Sequence, residues 1–442
     1  MPLTLEISGL APGGEGMALC GGQPCFVPFS APGDRVEVEL QGEGGARAVH
    51  ASLLRVLEPG PGRVSPPCPH FGPAFGGEPD RLCGGCEWLH LDYALQLEQK
   101  RRALEEALRR IGRLEPGSYP LHPAVPSPRP LRYRTRAKFH LDRASARLAF
   151  FRRRSHEPVP LSECHLLVPG LDALREAVGP AAVEARLQPR EVALEWSEHE
   201  DRGAAFFRCP DAGDGSRRRV EEVLRRVPTL RGAVLEGEPD LRGQRVVACV
   251  GDPVLRHERV PGVPGGGLAR TRPDVFQQAN RAANARLVES VLALLRPDGE
   301  DVLELYCGAG NFTGPLAARA HSVSAVEAQG PALDLARADL SGAPVRFFGG
   351  DALALASALA REGRRFGAVL LDPPREGMKG LAPLLRDLAA PRAVYVSCDP
   401  ATFARDARAV VAAGYRLAAV VPVDMFPQTH HLECVGLFEL RA

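Results

Sequence analysis

The sequence predicts a carboxyl-terminal α/β domain on a doubly wound parallel sheet, preceded by a small β-barrel and a β-rich central domain. From position 274 onward, apolar β-branched segments alternate with Ala-, Leu- and Arg-rich segments of helical spacing, a pattern typical of a parallel sheet covered by helices. Residues 1–58 are rich in Gly and Val, with short alternating patterns between Gly and Pro turns. At 442 residues, the chain is too long for one ordinary core.

The elements follow this order along the chain. Residues 1–58 are expected to form the barrel, and residues 59–90 and 120–265 the central domain. Residues 91–119 contain a helix from Leu91 to Ile111, which we expect to pack on the last domain, a Rossmann-like unit over 266–442. In that unit we predict a helix at 280–295, strands near 301–306, 323–327, 345–349, 367–371 and 393–397, and a terminal hairpin at about 416–423 and 432–439.

Composition narrows the class of protein. The chain is 45% hydrophobic and 25% charged, with a formal net charge of +1, so any nucleic-acid surface would have to be local. We find no signal-peptide pattern and no apolar run near the ~20 residues that span a bilayer. The 11 cysteines are an odd number, which favours thiols, metal ligation or catalysis over disulfides. We therefore expect a cytoplasmic protein, with no membrane and no obligate protein partner.

Three reactive side chains follow or adjoin predicted strands of the last domain. A β-branched segment ends on Cys398, another runs into Asp372, and a third segment, residues 429–432, runs into Glu433. Ligands of open α/β sheets bind beyond the carboxyl ends of the parallel strands. We therefore interpret these three residues as parts of one active site.

A glycine loop indicates a nucleotide-type cofactor. Gly308 and Gly310 lie where a strand turns into a helix, while Gly314 misses the strict dinucleotide spacing. Glu327 and Asp351 follow the next two strands, where acidic residues take ribose hydroxyls or a base edge. A simple tight turn is the alternative for the loop alone. Together with these acids, the loop favours an adenosine-bearing ligand. S-adenosylmethionine fits better than a dinucleotide, because it has no pyrophosphate that would require the third glycine.

The thiol and carboxylates match the chemistry of methylating a pyrimidine at C5. A thiolate adding to C6 makes C5 nucleophilic, and a base must then remove the C5 proton so that the thiol is released. Cys398, Glu433 and Asp372 supply the nucleophile, the base and a group for the uracil edge. The alternative is that a cysteine simply packs, which we expect for Cys20, Cys25, Cys209, Cys249 and Cys434. Cys307, in the glycine loop, is an alternative nucleophile that we expect to line the cofactor pocket.

Five segments carry a family resemblance: Phe276–Asn280, Leu305–Thr313, Asp372–Gly377, Ser397–Pro400 with Thr402–Asp406, and His431–Val435. They resemble the S-adenosylmethionine-dependent RNA 5-methyluridine methyltransferases. The resemblance implies that Cys398 is the nucleophile and Glu433 the base. The cofactor contacts that it implies are Gln278, Tyr306, Asn311, Glu327, Asp351 and Asp372. The chain departs from the family at Asp399, where asparagine is usual, and at Gln428, where histidine is common.

Four further cysteines have the spacing of a metal site: Cys68, Cys83, Cys86 and Cys164. Four thiolates suit zinc or an iron–sulfur cluster, and spacing alone favours zinc only because zinc sites are common. The resemblance implies a [4Fe-4S] cluster instead, because the family branch with an amino-terminal OB-like TRAM barrel has such a site. Residues 73–80 look like an insertion between the first two ligands. We expect a structural role for the cluster.

Residues 129–154 hold ten basic residues and one acidic residue. Arg132, Arg134, Arg136 and Lys138 alternate with packing residues, which on a strand places four cations on one face. We interpret this face as a phosphate-contacting stripe in an RNA-binding central domain, with a solvated arginine-rich face as the alternative. The barrel resembles the TRAM module of RNA-modifying enzymes, and a uracil in folded RNA must be flipped out to reach Cys398.

The predicted function is methylation of uridine C5 in structured RNA, with 23S ribosomal RNA favoured because the resemblance associates the barrel and four-cysteine site with that branch. A transfer-RNA enzyme is the alternative within the class. A non-catalytic RNA-binding protein is disfavoured by the intact set of reactive residues. A DNA cytosine methyltransferase would be expected to have its cysteine early in the domain, after a proline.

Overall fold

The computed structural model of the protein describes residues 2–41, 48–72, 82–239, 245–260 and 267–441. The amino-terminal unit is a six-stranded sheet with the order β1-β5-β6-β4-β3-β2. Its strands are β1 (Leu3–Glu6), β2 (Gly9–Leu10), β3 (Gly16–Cys20), β4 (Gln23–Val27), β5 (Arg35–Gln41) and β6 (Val49–Glu58). Because β1 and β2 are one bent segment that pairs with β5 at one end and β3 at the other, the sheet closes on itself around a buried apolar core.

The central unit is a seven-stranded sheet with the order β13-β12-β11-β10-β7-β8-β9. Its strands are β7 (Arg136–Asp142), β8 (Arg147–Phe151), β9 (Pro158–Pro160), β10 (Glu191–Ser197), β11 (Arg202–Arg208), β12 (Leu230–Pro239) and β13 (Arg245–Gly251). Helices α2 (Pro169–Glu184) and α3 (Asp214–Arg226) pack on it. A hairpin of β14 (Leu255–Glu258) and β15 (Leu268–Thr271) leads to the last domain.

Helix α1 (Tyr93–Arg110) lies between the barrel and the central unit along the chain. Asp92 caps its amino terminus by accepting hydrogen bonds from the N–H groups of Ala94 and Leu95. Leu104 and Leu108 lie in the same buried cluster as the last domain's sheet residues. The helix therefore packs on the last domain.

The predicted α/β domain is confirmed as a seven-stranded sheet with the order β18-β17-β16-β19-β20-β22-β21. Its strands are β16 (Asp301–Leu305), β17 (Ser322–Glu327), β18 (Val345–Gly349), β19 (Ala368–Leu371), β20 (Arg392–Ser397), β21 (Tyr415–Val423) and β22 (Glu433–Leu440). Its helices are α4 (Arg281–Leu295), α5 (Thr313–Ala317), α6 (Gly330–Asp339), α7 (Ala352–Arg361), α8 (Leu381–Leu388) and α9 (Pro400–Ala412). Strands β16 to β20 are parallel, and buried apolar clusters cover both faces.

Two strand predictions are wrong in detail. Residues 429–432 do not end a strand in front of Glu433, because Glu433 begins β22, which runs antiparallel to β20. Strand β7 begins only at Arg136, so it includes neither Arg132, whose φ of 53° is not extended backbone, nor Arg134. Cys249 is exposed on β13 rather than buried, whereas Cys25, Cys209 and Cys434 are buried as predicted.

Among the described helices, none has both the length and the apolar character that crossing a membrane requires.

Candidate active site

The reactive residues lie at one edge of the last sheet. Asp372 follows β19 and Cys398 follows β20, at the carboxyl ends of two neighbouring parallel strands. The register of β20 with β22 pairs Ser397 with Cys434, so Cys398 and Glu433 are the next residues of these strands at the same edge. The antiparallel insertion of β22 therefore brings a carboxylate from the end of the chain beside the thiol.

Cys398 is a half-buried thiol with three acids near it. Burial, and then the charges of Glu433 and Asp372, raise its pKa to about 11 against the opposing effect of the Arg375 guanidinium. The thiol precedes α9, whose amino terminus is capped by the Asp399 carboxylate through the Thr402 N–H at 2.7 Å. At neutral pH the resting sulfur is therefore a thiol, and it requires a change of environment to become a thiolate.

Glu433 and Asp372 form a pair of carboxyl groups that share this edge. Glu433 is 4% exposed, and its Oε2 has no hydrogen-bond partner in the described part of the chain. Burial, and then the charge of Asp372, raises the pKa of Glu433 well above its ordinary value. Burial also raises the pKa of Asp372 to about 7. A buried carboxylate of this kind is a stronger base than a solvated one.

Residues predicted to contact the cofactor follow β16, β17 and β18. Tyr306 follows β16 with a positive φ of 64°, and its hydroxyl lies within the electrostatic reach of Asp351 and Glu327. The Glu327 carboxylate accepts hydrogen bonds from the Gly308 N–H at 2.9 Å and the Gln329 N–H at 2.7 Å. Asp351 caps α7 through the Ala354 N–H at 2.8 Å. The acids are thus fixed around the glycine loop.

Gly310 shows why the loop needs glycine. Its φ is 88°, and a Cβ there would meet Nη1 of Arg259 at 2.7 Å. Cys307, the alternative nucleophile, is buried in the apolar cluster behind the loop, and burial raises its pKa strongly. A thiol so placed is a packing residue, so the geometry favours Cys398.

Two more predicted cofactor residues line a cavity of about 290 Å³ next to the glycine loop. Gln278 and Asn311 lie in its wall with Asn284, Arg259 and Arg281. Asn284 and Asn311 exchange side-chain hydrogen bonds at 2.7 and 3.0 Å. Tyr306, Glu327, Asp351 and Asp372 lie outside this cavity's wall, so the predicted cofactor set is divided between the cavity and the strand ends.

The second position that departs from the family has a structural role. Gln428 has a positive φ of 70°, and its side chain accepts a hydrogen bond from Gln96 at 2.9 Å and donates one to the Pro130 carbonyl at 3.2 Å. Its backbone carbonyl accepts from the N–H groups of Glu87 and Trp88, both at 3.0 Å. Gln428 therefore fixes the segment before Glu433 to three other parts of the chain.

The four cysteines outside this edge line one cavity of about 470 Å³. Burial raises the pKa of Cys68 to about 11 and that of Cys83 to about 12, and it raises the pKa values of Cys86 and Cys164. Arg134 also lines this cavity. Within the described ranges, no group of three or more His, Cys, Asp or Glu side chains is arranged to hold a metal ion. The predicted insertion at 73–80 lies outside the described residues.

Cations of the predicted phosphate-contacting stripe at 132–138 have partners within the protein, although 63% of the Lys138 side chain stays exposed. Arg136 donates to the carbonyls of Val275 and Pro273, and Lys138 forms an ion pair with Glu191 at 3.2 Å. Further along, Arg153 and Arg154 both pair with Glu15 of the barrel, at 3.2 and 3.1 Å. These arginines join the barrel to the central unit.

Sequence reasoning missed a set of polar contacts around the base. The Lys100 ammonium and the Asp424 carboxylate form a fully buried ion pair at 2.6 Å, which joins α1 to the segment before β22. His430 lies 3.3 Å from the Glu87 carboxylate, and the His431 Nδ1 lies 3.1 Å from an Arg375 nitrogen. Two adjacent histidines, which Leu432 separates from the base, are the only sequence signal for this set.

Comparison with known proteins agrees with this geometry. A family model described as tRNA (Uracil-5-)-methyltransferase matches residues 268–347 and 356–441. The chain is 33% identical to the 23S rRNA (uracil(1939)-C(5))-methyltransferase RlmD of Pectobacterium atrosepticum, over 99% of this chain and 93% of that protein. The protein of the same name from Alkalilimnicola ehrlichii is also 33% identical, over 100% of this chain and 97% of its own length.

A solved structure shares the fold over the whole chain. The crystal structure of Pyrococcus abyssi tRNA (uracil-54, C5)-methyltransferase in complex with S-adenosyl-L-homocysteine has a TM-score of 0.72 at 24% identity, and the match covers 98% of this chain and 99% of that one. This likeness concerns the fold. The full-length sequence identities confirm the predicted family: the chain belongs to the RNA uracil-C5 methyltransferases.

Proposed function

We propose that this protein methylates C5 of a uridine in structured RNA, with 23S ribosomal RNA as the favoured substrate and the cytoplasm as the place of action. The observation that carries the proposal is the meeting of Cys398, Glu433 and Asp372 at one sheet edge. The full-length similarity to proteins named as 23S rRNA uracil-C5 methyltransferases supports the choice of RNA.

The reaction uses each member of this set once. The Cys398 thiol loses its proton to solvent and its sulfur forms a bond to C6 of the uracil, so that the C5–C6 π electrons move into an enolate that makes C5 nucleophilic. After C5 has gained a methyl group, Glu433 takes the C5 proton, the electron pair of that C–H bond restores the C5–C6 double bond, and the C6–S bond breaks. Asp372, whose pKa burial raises to about 7, is able to donate or accept a hydrogen bond at the uracil edge near neutral pH.

The predicted cofactor residues fit S-adenosylmethionine. When bound, this cofactor supplies an electrophilic methyl group on a sulfonium centre. Each Glu327 oxygen accepts one backbone N–H, which fixes the carboxylate and leaves lone pairs for ribose hydroxyls. Asp351 is placed for the base edge, and Tyr306 for one face of the ligand. Gln278 and Asn311 would contact it from the wall of the neighbouring cavity.

The RNA must present a flipped uridine to this edge. Phe276 is 70% exposed and lies two residues before Gln278, so its ring offers a stacking surface beside the cofactor residues. The amino-terminal barrel, which we assign as the TRAM module, is tied to the central unit through Glu15. We propose that the barrel and the central unit, including the cations of the stripe at 132–138, hold the flanking RNA.

Mapping of 5-methyluridine at nucleotide resolution tests the function. The comparison is between 23S ribosomal RNA and transfer RNA from cells with and without this gene, together with assays of the purified protein on both RNAs. We expect at least one 23S uridine to lose its methyl group without the gene, and the purified protein to restore it. Loss of methylation in transfer RNA alone would contradict the choice of RNA. No change in either RNA would contradict the enzymatic proposal.

We also propose that Cys68, Cys83, Cys86 and Cys164 hold a [4Fe-4S] cluster. These four thiols line one pocket, and four cysteine thiolates are the ligand set that such a cluster requires. The Gly85 N–H donates to the Cys83 sulfur at 3.4 Å, a contact typical of cluster ligands. Because burial raises the pKa of every thiol in the set, positive charge is needed to hold them as thiolates.

Anaerobic purification tests the cluster. We expect brown protein with about four iron and four sulfide per chain, and loss of iron together with a lower melting temperature in Cys164→Ala. The matched control is Cys249→Ala, since Cys249 is exposed and outside the cavity. Colourless protein that contains zinc would contradict the cluster, and an unchanged melting temperature after removal of iron would contradict its structural role.

A further inference from the structure

Arg375 is the cation that faces the reacting groups. The charged groups around the Cys398 thiol are Glu433, Asp372, Asp399 and Arg375, and only the arginine opposes the three acids. It also opposes the increase in the pKa of Glu433. A thiolate that forms at Cys398 would therefore depend on this guanidinium for electrostatic stabilisation.

The Arg375 side chain depends on His431 for its position. It is exposed, in the loop after Asp372. Its one hydrogen bond within the described ranges runs from Nη2 to His431 Nδ1, at 3.1 Å. Because a guanidinium only donates, Nδ1 must accept, so His431 is neutral with its proton on Nε2.

The His431 ring is itself held by its neighbours. The rings of His430 and His431 lie 4.3 Å apart, and Phe426 meets His431 edge-on at 6.1 Å. The His430 Nδ1 lies 3.3 Å from the Glu87 carboxylate, and the His430 N–H donates to the same oxygen at 3.4 Å. The Glu87 N–H in turn donates to the Gln428 carbonyl.

The groups that face His431 also favour its neutral form. Burial, and then electrostatic effects of His430, Arg375 and Lys100, lower its pKa to about 4, while Glu87 opposes them. The acceptor at Nδ1 therefore remains available across the neutral and alkaline range in which the Cys398 thiolate forms.

We propose that His431 is a positioning residue for the methyl transfer: it holds the Arg375 guanidinium beside Cys398 and Glu433, and His430 with Glu87 holds its ring. This inference rests on the proposed role of Cys398 as nucleophile. It assigns a function to the histidine pair before the base. It also connects Glu87, the residue after Cys86, to the surroundings of the nucleophile through the histidine pair and Arg375.

The test measures the reactivity of Cys398 in protein without RNA or methyl donor. Alkylation by iodoacetamide is followed between pH 7 and pH 10, and the Cys398 peptide is quantified by mass spectrometry. His431→Phe removes the acceptor, so we expect alkylation at a given pH to fall about three- to tenfold, as the thiolate becomes less stable. Arg375→Gln should lower it equally, and the double variant should lower it no further, because both changes remove one interaction.

Two variants separate positioning from general damage. His431→Asn keeps an acceptor near the place of Nδ1, so it should restore most of the alkylation rate that His431→Phe loses. His199→Phe, at an exposed turn of the central unit, is the matched control and should behave as the wild type. An unchanged pH profile in both His431→Phe and Arg375→Gln would overturn the proposal, and so would an asparagine variant as impaired as the phenylalanine one.

The readout is independent of the proposed function. It requires neither RNA nor cofactor, so failure of methylation would leave the alkylation result intact. If Cys398→Ala retained methylation while His431→Phe still changed the pH profile, the nucleophile assignment would be wrong and the positioning contact correct. In RNA assays of His431→Phe, we expect kcat to fall about three- to tenfold with little change in KM, since His431 is proposed to act through Arg375 rather than on RNA.

Discussion

Replacing Cys398 by alanine should reduce methyl transfer to RNA by at least about 10⁴-fold. Without the sulfur, no bond to C6 forms, and C5 of uracil is too weak a nucleophile to take the methyl group. Binding of the methyl donor should remain within about twofold of the wild type, because the predicted cofactor contacts lie on other strands. The measurements are incorporation of labelled methyl into RNA and calorimetric binding of S-adenosylhomocysteine.

Cys307→Ala is the informative control for this prediction. Cys307 is the other thiol at the end of a strand in the same domain, but it is buried in an apolar cluster. Removing its sulfur should lower stability modestly and leave most of the methylation. If Cys307→Ala were inactive and Cys398→Ala active, the assignment of the nucleophile would be reversed.

The α/β domain could be predicted closely because its strands and helices are determined by patterns among neighbouring residues. Buried parallel strands are continuous apolar runs, and β16 to β20 begin and end within about two residues of the predicted limits. Helix α1 could be predicted for the same reason, because its apolar residues have helical spacing and Asp92 caps its amino terminus. In both cases neighbouring residues decide the structure.

The roles of the arginines could not be predicted, because a sequence pattern fixes a face but not what lies opposite. Alternation correctly separates buried Tyr133 and Ala137 from the cations between them. However, Arg134 faces a cavity that includes Cys164, and Arg136 reaches carbonyls about 140 positions away along the chain. Such contacts depend on how the units pack together, and no local pattern records them.

The candidate site also contains some residues that could be predicted from the sequence and others that could not. Cys398 and Glu433 could be identified because short segments around them resemble a family, although the place of β22 between β20 and β21 was not foreseen. The contact of Glu87 with His430 joins residues 343 positions apart, so neither residue reveals it alone. The reacting groups lie in short segments that can be recognised in the sequence. The groups that position them come together only in the complete fold.

Replacing Glu433 by glutamine should trap RNA on the protein. The C6–S bond breaks only when the C5 proton is removed, so without the base the methylated adduct persists. We expect turnover to fall about 10²- to 10⁴-fold, and a protein–RNA band to survive denaturing electrophoresis. The band should require both RNA and methyl donor, and it should be absent when Cys398 is also replaced.

Glu439→Gln provides the matched control, since it makes the same change on the same strand. Glu439 pairs with Arg296 and Arg416 at the surface, away from the reacting edge. This variant should turn over normally and leave no band. Loss of turnover in Glu433→Gln without a trapped band would show that Glu433 acts before the adduct forms, and the role of base would then belong to another group.

The buried carboxyl group also predicts how stability changes with pH. The pKa of Glu433 is raised in the folded protein, by burial and then by Asp372, above its value of about 4.3 in the unfolded chain. The folded state therefore binds more protons, and the free energy of unfolding of the wild type decreases as pH rises through the folded pKa. Glutamine does not titrate, so Glu433→Gln should be about as stable as the wild type at pH 4 and increasingly more stable towards pH 8. Denaturant unfolding across this range measures the difference. A wild-type advantage that grows with pH would contradict the burial of an ionisable base beside Cys398.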